Sequence, residues 1–205
     1  MTLQRVSFAV PTGEIEGVLH LPETTTLGGC AVLHGFGGHP DQPHIVATCA
    51  ALAEAGIAAL RFAYRDHQPP RMTLGSALED AAGAIRLLKA HPSVPEQLGV
   101  VGFSFGGAVA IQVGAVLGTH CRGVITLSTQ SAGCEVAAEL GETPLLLLHG
   151  TNDELLPPET STVVQMLAGH GEVVLLPGAG HLLSEAAGEL RERIDAWIGE
   201  RFAGA

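Results

Sequence analysis

Residues 98–117, LGVVGFSFGGAVAIQVGAVL, run from a short apolar stretch through a glycine-flanked serine into a second apolar stretch of helical length. A chain that passes from strand to helix within two or three residues turns so sharply that the side chain at the apex is pushed outward. Side chains at the flanking positions would clash, which calls for Gly102 and Gly106 on either side. The run therefore predicts a strand, a tight turn with Ser104 at its tip, and a helix. A chain with 27 glycines can spell Gly-x-Ser-x-Gly by chance, so the surroundings of the motif decide its meaning.

Those surroundings alternate. Residues 3–10 and 14–21 read as two extended runs joined by Pro11, Thr12 and Gly13, a short hairpin signature. Strands follow at 30–34, 57–62, 99–101, 123–128, 145–149 and 173–176. Between them lie helices at 45–55 (closed by Gly56), 104–117 (ending at Gly118) and 157–169, the last opened by Pro157 and Pro158. Ser76 with Glu79 three residues later reads as a capping box opening a helix through Ala90, stopped by Pro92, and Ser184 caps a final helix to about residue 202. Continuously apolar strands alternating with helices predict an α/β fold, a mostly parallel central sheet with helices on both faces. Residues 129–143 form the longest late connection, long enough for a helix but not for a lid domain.

The totals fit this picture. A chain of 205 residues reads as a single domain, 1–205, able to bury about 70% of its unfolded surface without disulfides or metals. The four cysteines are scattered, and the histidines fall into no HExxH or similar spacing, so neither metal nor other cofactor is expected. A formal charge of -11 argues against nucleic acid. The apolar runs are strand-sized, well short of the roughly 18 residues of a membrane span, and the N-terminus lacks a signal-like apolar core. A soluble, cytoplasmic protein is expected; oligomeric state is not readable.

Parallel sheets bind ligands at the carboxyl ends of their strands, where the loops hold partners for Ser104. Asp153 follows the strand 145–149 in HGTND, and His181 follows the strand 173–176 in PGAGH. Glu154 and Asp66 compete with Asp153 for the acid role, and nine other histidines with His181. His20, His91, His120 and His170 read as solvated. His34 and His149 end buried strands and read as structural, their ring nitrogens bonded to backbone.

HGFGG after the third strand, GFSFGG at the turn, HGTND and GAGH, in that order, resemble the α/β-hydrolase fold family over about residues 14–202. The compact, lid-less chain is most similar to its small dienelactone-hydrolase-like and carboxylesterase members. The resemblance implies a Ser104, His181 and Asp153 triad, in the chain order Ser, Asp, His. It also implies an oxyanion hole from the backbone N–H groups of Phe36 and Phe105. Dienelactone hydrolases carry a Cys nucleophile where this chain has Ser104, which favours ester hydrolysis of a broader kind.

The expected activity is cleavage of small soluble carboxylic esters through an acyl-enzyme. Peptide, thioester or lactone cleavage on the same triad, or a non-catalytic ligand-binding or scaffold role, remain alternatives. Phe36, His39, Tyr64, Arg65, His67 and Gln130 are candidate substrate contacts from the surrounding loops, although ordinary loop polarity explains the polar ones as well.

Overall fold

The computed structural model describes residues 1–67 and 71–202. Within these residues eight strands form one sheet: β1 (Thr2–Val10), β2 (Gly13–Leu21), β3 (Gly28–Leu33), β4 (Ile57–Phe62), β5 (Leu98–Phe103), β6 (Cys121–Leu127), β7 (Leu145–Gly150) and β8 (Glu172–Leu176). Their spatial order is β1-β2-β4-β3-β5-β6-β7-β8. The first two strands form the expected hairpin, and β2 joins β4 antiparallel. From β4 to β8 every pairing is parallel.

Among the described residues five α-helices cover the sheet: α1 (Pro43–Glu54), α2 (Leu74–Ala90), α3 (Phe105–Leu117), α4 (Glu159–Ala168) and α5 (Ala187–Phe202). Every residue of β3, β4, β5 and β7 is buried, which is why these strands read as unbroken apolar runs. The alternation of the pleat divides them between two cores. Leu145 and Leu147 of β7 enter the layer shared with α2, α3 and α4. Leu146 and Leu148 enter the opposite layer, with Ile45 and Leu52 of α1 and Ile194, Trp197 and Ile198 of α5.

Several local expectations need correction. The cap of α2 is Thr73, whose side chain accepts from the Ser76 amide while the Ser76 hydroxyl accepts from the Thr73 amide. Ser76 is thus the reciprocating partner at the third helical position, and the helix begins two residues before it. Pro158 is the cap of α4 rather than part of it. Ser184 opens a short 3-10 turn through Ala186, and α5 begins only at Ala187. Between β6 and β7 lies one 3-10 turn, Ala137–Leu140, and no lid stands over the sheet edge among the described residues. No described helix is long and apolar enough to cross a membrane.

His20 is not solvated. It is 1% exposed, and its Nε2 accepts from Nε of Arg61 at 2.9 Å. Arg61, itself buried, also donates to the Pro40 carbonyl and pairs with Asp41. One guanidinium on β4 thereby fastens both β2 and the loop after β3, the loop that borders the site.

Candidate active site

The turn after β5 is built as its glycines predict. A Cβ on Gly102 would lie 2.0 Å from the Gly106 carbonyl oxygen, and one on Gly106 would lie 2.3 Å from that of Leu33. No side chain fits at either position, because the obstacles are backbone. Ser104 caps α3 with φ 54°, in the left-handed region that a non-glycine residue enters at a cost of about 1–2 kcal/mol. Its amide donates to the Leu127 carbonyl at 2.8 Å and its carbonyl accepts from the Gly107 amide at 2.9 Å, so the strained turn is tied to β6 and to its own helix. Among the described residues the other non-glycine positions with positive φ, Ser128 and Leu183, also follow β6 and His181 at this edge of the sheet. Concentrated strain of this kind accompanies functional edges.

Two loops supply an acid and an imidazole. Nδ1 of His181 stands 2.7 Å from Oδ2 of Asp153. Oδ1 of the same carboxylate accepts from the Leu155 and Leu156 amides, both at 2.9 Å. Burial works against the charge on Asp153. The Leu156 amide, His181 and the Leu155 amide outweigh it and hold the carboxyl below its ordinary range. An ionised carboxylate accepts only, so Nδ1 of His181 is the donor in this contact. The imidazole lies 5.0 Å, centroid to centroid, from the ring of Phe103, the residue before Ser104. Gly35 closes the other side: a Cβ there would come within 3.2 Å of the Ser104 Cβ.

The competing acids stand elsewhere. Glu154 meets the backbone of the His181 loop, with Oε2 3.4 Å from the His181 amide nitrogen. Asp66 makes no hydrogen bond to an imidazole among the described residues. His34 is structural as expected, donating from Nδ1 to the Gly35 carbonyl and accepting at Nε2 from the Tyr64 amide. Burial pushes its pKa down to about 4. His149 differs from expectation, since its partners include the side chains of Ser161 and Asp153.

The candidate substrate contacts separate into groups. Phe36 is 54% exposed, its ring 5.9 Å from that of Phe105, so an apolar surface flanks Ser104. Tyr64 is buried against His34 and Phe62. The guanidinium of Arg65 pairs with Glu79 and Asp80 and donates to the Thr12 hydroxyl, binding the β1–β2 turn to α2. Neither residue presents its functional group to the site. His39 lines a polar cleft of about 820 Å³ with Arg5, Asp41 and Arg61, its ring 6.0 Å from that of His67. His67 donates to the Tyr64 carbonyl. The Gln130 amide closes its own turn onto the Ala132 carbonyl at 2.7 Å.

His44 was not singled out by the sequence. Its ring is tilted against that of Phe103, 4.3 Å between centroids, and borders an apolar groove of about 510 Å³ between α1 and α5, shared with Leu182 and Leu183 directly after His181. It belongs to no motif, and its contact joins α1 to the end of β5, far apart in the chain, so no sequence signal marks it. Among the described residues, no three His, Cys, Asp or Glu side chains gather as metal ligands.

A mostly parallel sheet with a serine turn after β5 and helices on both faces has the α/β-hydrolase fold. The chain belongs to the dienelactone hydrolase family, whose model matches residues 15–193. Acyl-protein thioesterase 1 of Gibberella zeae is 28% identical over 116 residues, which is 51% of this chain and 48% of that protein, so the match spans about half the length of this curated relative. Among solved structures, Est1E from Butyrivibrio proteoclasticus superposes with a TM-score of 0.86 at 20% identity, covering 97% of this chain and 99% of that one. Dienelactone hydrolase from Anabaena variabilis gives 0.86 at 21% identity, with 98% of each chain covered. The esterase domain of a Rhodothermus marinus protein gives 0.76 at 24% identity, covering 96% of this chain and 98% of that one.

Proposed function

We propose that the protein is a serine hydrolase that cleaves small carboxylic esters through an acyl-enzyme on Ser104, His181 and Asp153. The observation that carries this reading is the 2.7 Å contact of Asp153 with His181 beside the strained Ser104 turn. Ser104 Oγ attacks the ester carbonyl carbon while Nε2 of His181 takes the hydroxyl proton. Asp153 holds the imidazole in the needed tautomer and stabilises the imidazolium without becoming protonated.

The tetrahedral oxygen is met by two backbone donors. The Phe105 amide opens α3, where first-turn N–H groups have no helical partner and the helix dipole is positive. The Phe36 amide comes from the loop after β3. Collapse returns the proton from His181 to the leaving alcohol, and water then repeats the sequence to release the acid and restore Ser104. The exposed ring of Phe36 with Phe105 suits an apolar part of a small ester substrate.

A second reading, thioester cleavage, draws on the similarity to an acyl-protein thioesterase. The same steps apply with a thiolate leaving group. Matched p-nitrophenyl acetate and acetyl thioester substrates separate the two. A kcat/KM at least tenfold higher for the oxygen ester supports the ester reading, and the reverse ranking moves the assignment to thioesters.

A further inference from the structure

His149, the penultimate residue of β7, has 0% side-chain exposure and stands four residues before Asp153. Its Nε2 lies 3.0 Å from Asp153 Oδ2 and 3.2 Å from the Leu156 carbonyl oxygen. Both neighbours accept, so Nε2 carries the proton. Nδ1 is then the acceptor, 2.7 Å from the Ser161 hydroxyl on α4. Burial holds the His149 pKa below the ordinary histidine value, so the ring is neutral and acts as an N–H donor, not as a second base.

One oxygen of Asp153 thus receives two imidazole N–H groups, from His149 and from His181. The other oxygen receives two backbone amides. Among the described residues no Lys or Arg pairs with this carboxylate, whose side chain is fully buried. The charged and titratable groups around the pair are Glu154 on the same loop, Glu185 bonded to the Gly180 amide, and His44, which reaches His181 through Phe103. None of them touches Asp153 Oδ2. The negative charge that steadies an imidazolium at His181 is therefore shared directly with His149 alone among side chains.

We propose that His149 is a positioning residue for Asp153, and that its donated hydrogen bond sets how strongly Asp153 holds the proton on His181. The inference rests on the Ser104, His181 and Asp153 reading above. Two donors on one oxygen compete: while His149 is present the carboxylate is a weaker partner for His181, and His181 gives its proton to the leaving group more readily. Without His149 the carboxylate binds the imidazolium more tightly, and the free-base form needed for attack appears only at higher pH. Ser161 acts one bond further out, by keeping the His149 proton on the side facing Asp153.

The test compares His149→Phe, His149→Gln and Ser161→Ala with wild type, measuring the pH dependence of kcat/KM for p-nitrophenyl acetate, KM, and thermal unfolding of each variant. His149→Phe should move the acidic limb to higher pH by about half a unit to one unit, lower kcat by up to about tenfold and leave KM within about twofold. His149→Gln, whose amide N–H can reach the same oxygen, should bring the limb back toward wild type. Ser161→Ala should move it the same way as Phe, by less. A folded His149→Phe variant with an unmoved limb overturns the proposal, as does a Gln variant no closer to wild type than Phe. Should the Phe variant not fold, an unmoved limb in Ser161→Ala overturns it. Ser104→Ala and Asp153→Asn are run in parallel: full activity in either removes the triad reading itself, an outcome distinct from loss of activity there with no shift at His149.

Discussion

Asp153 and His181, 28 residues apart in the chain, meet at 2.7 Å because β7 and β8 are parallel neighbours whose carboxyl ends open onto the same edge. Asp153→Asn keeps the shape but puts an amide where the carboxylate accepts, so the imidazole is turned to the wrong tautomer. A loss of about a thousandfold or more in ester kcat is expected. Glu154→Gln, which alters a contact to the loop backbone only, should stay within about tenfold of wild type. Steady-state kinetics of the two variants check the ranking, and the reverse order would move the acid to Glu154.

Gly106→Ala tests the turn rather than the chemistry. The added methyl would sit 2.3 Å from the Leu33 carbonyl oxygen, and backbone cannot swing aside as a side-chain tip can. The strand–helix angle must open, moving Ser104 away from His181. The expected result is loss of activity by about a hundredfold or more together with a lowered Tm. Wild-type turnover in this variant would show that the turn tolerates a shape the geometry forbids.

Arg65 separates a substrate contact from a structural one. Its guanidinium partners the wholly buried Asp80 as well as Glu79 and Thr12, so Arg65→Ala leaves Asp80 without a countercharge. A loss of about 2 kcal/mol is expected, or roughly 4–8 °C in Tm for a chain of this size, with KM for a small ester unchanged. Calorimetry with parallel kinetics decides it. An unchanged Tm with a raised KM would return Arg65 to the substrate site.

Acid sensitivity follows from three histidines. Burial first, and then Arg61 at His20, the neighbouring histidines at His34 and His181 at His44, bring each pKa from 6.5 down to about 4. The unfolded chain takes up these protons near pH 6.5, while the folded chain resists until about pH 4, so the unfolded state binds more protons in between. Their contribution to stability is whole above about 6.5 and is lost as the pH falls toward 4. Tm measured from pH 8 to 4.5 should be level at the upper end and fall below about 6.5. His34→Gln should flatten part of that fall, and a Tm that rises on acidification contradicts the account.

What the sequence made legible was local or periodic. Buried parallel strands announce themselves as apolar runs, and the glycines of GFSFGG announce a turn no other residue could make. The loops HGTND and PGAGH could be ranked because each follows such a strand. Contacts between distant elements were not legible. The burial of His20 depends on β2 lying beside β4, where His20 pairs with Ala59 and receives Arg61 from two residues further along the strand. The sequence suggests only backbone partners for His149, because neither Ser161 on α4 nor the rotation of the Asp153 side chain is written in the strand that carries it. At α2 the error was one of role: Thr73 and Ser76 are both good capping residues, and only the helix start distinguishes the cap from its reciprocating partner.

The most direct test of the central claim is active-site labelling with a fluorophosphonate, mapped by peptide mass spectrometry, on wild type and Ser104→Ala, alongside turnover of p-nitrophenyl acetate. The account predicts one adduct on the wild type, at Ser104, with loss of turnover in step with labelling, and neither adduct nor turnover in the variant. Turnover that survives Ser104→Ala, or an adduct on another residue, would contradict it.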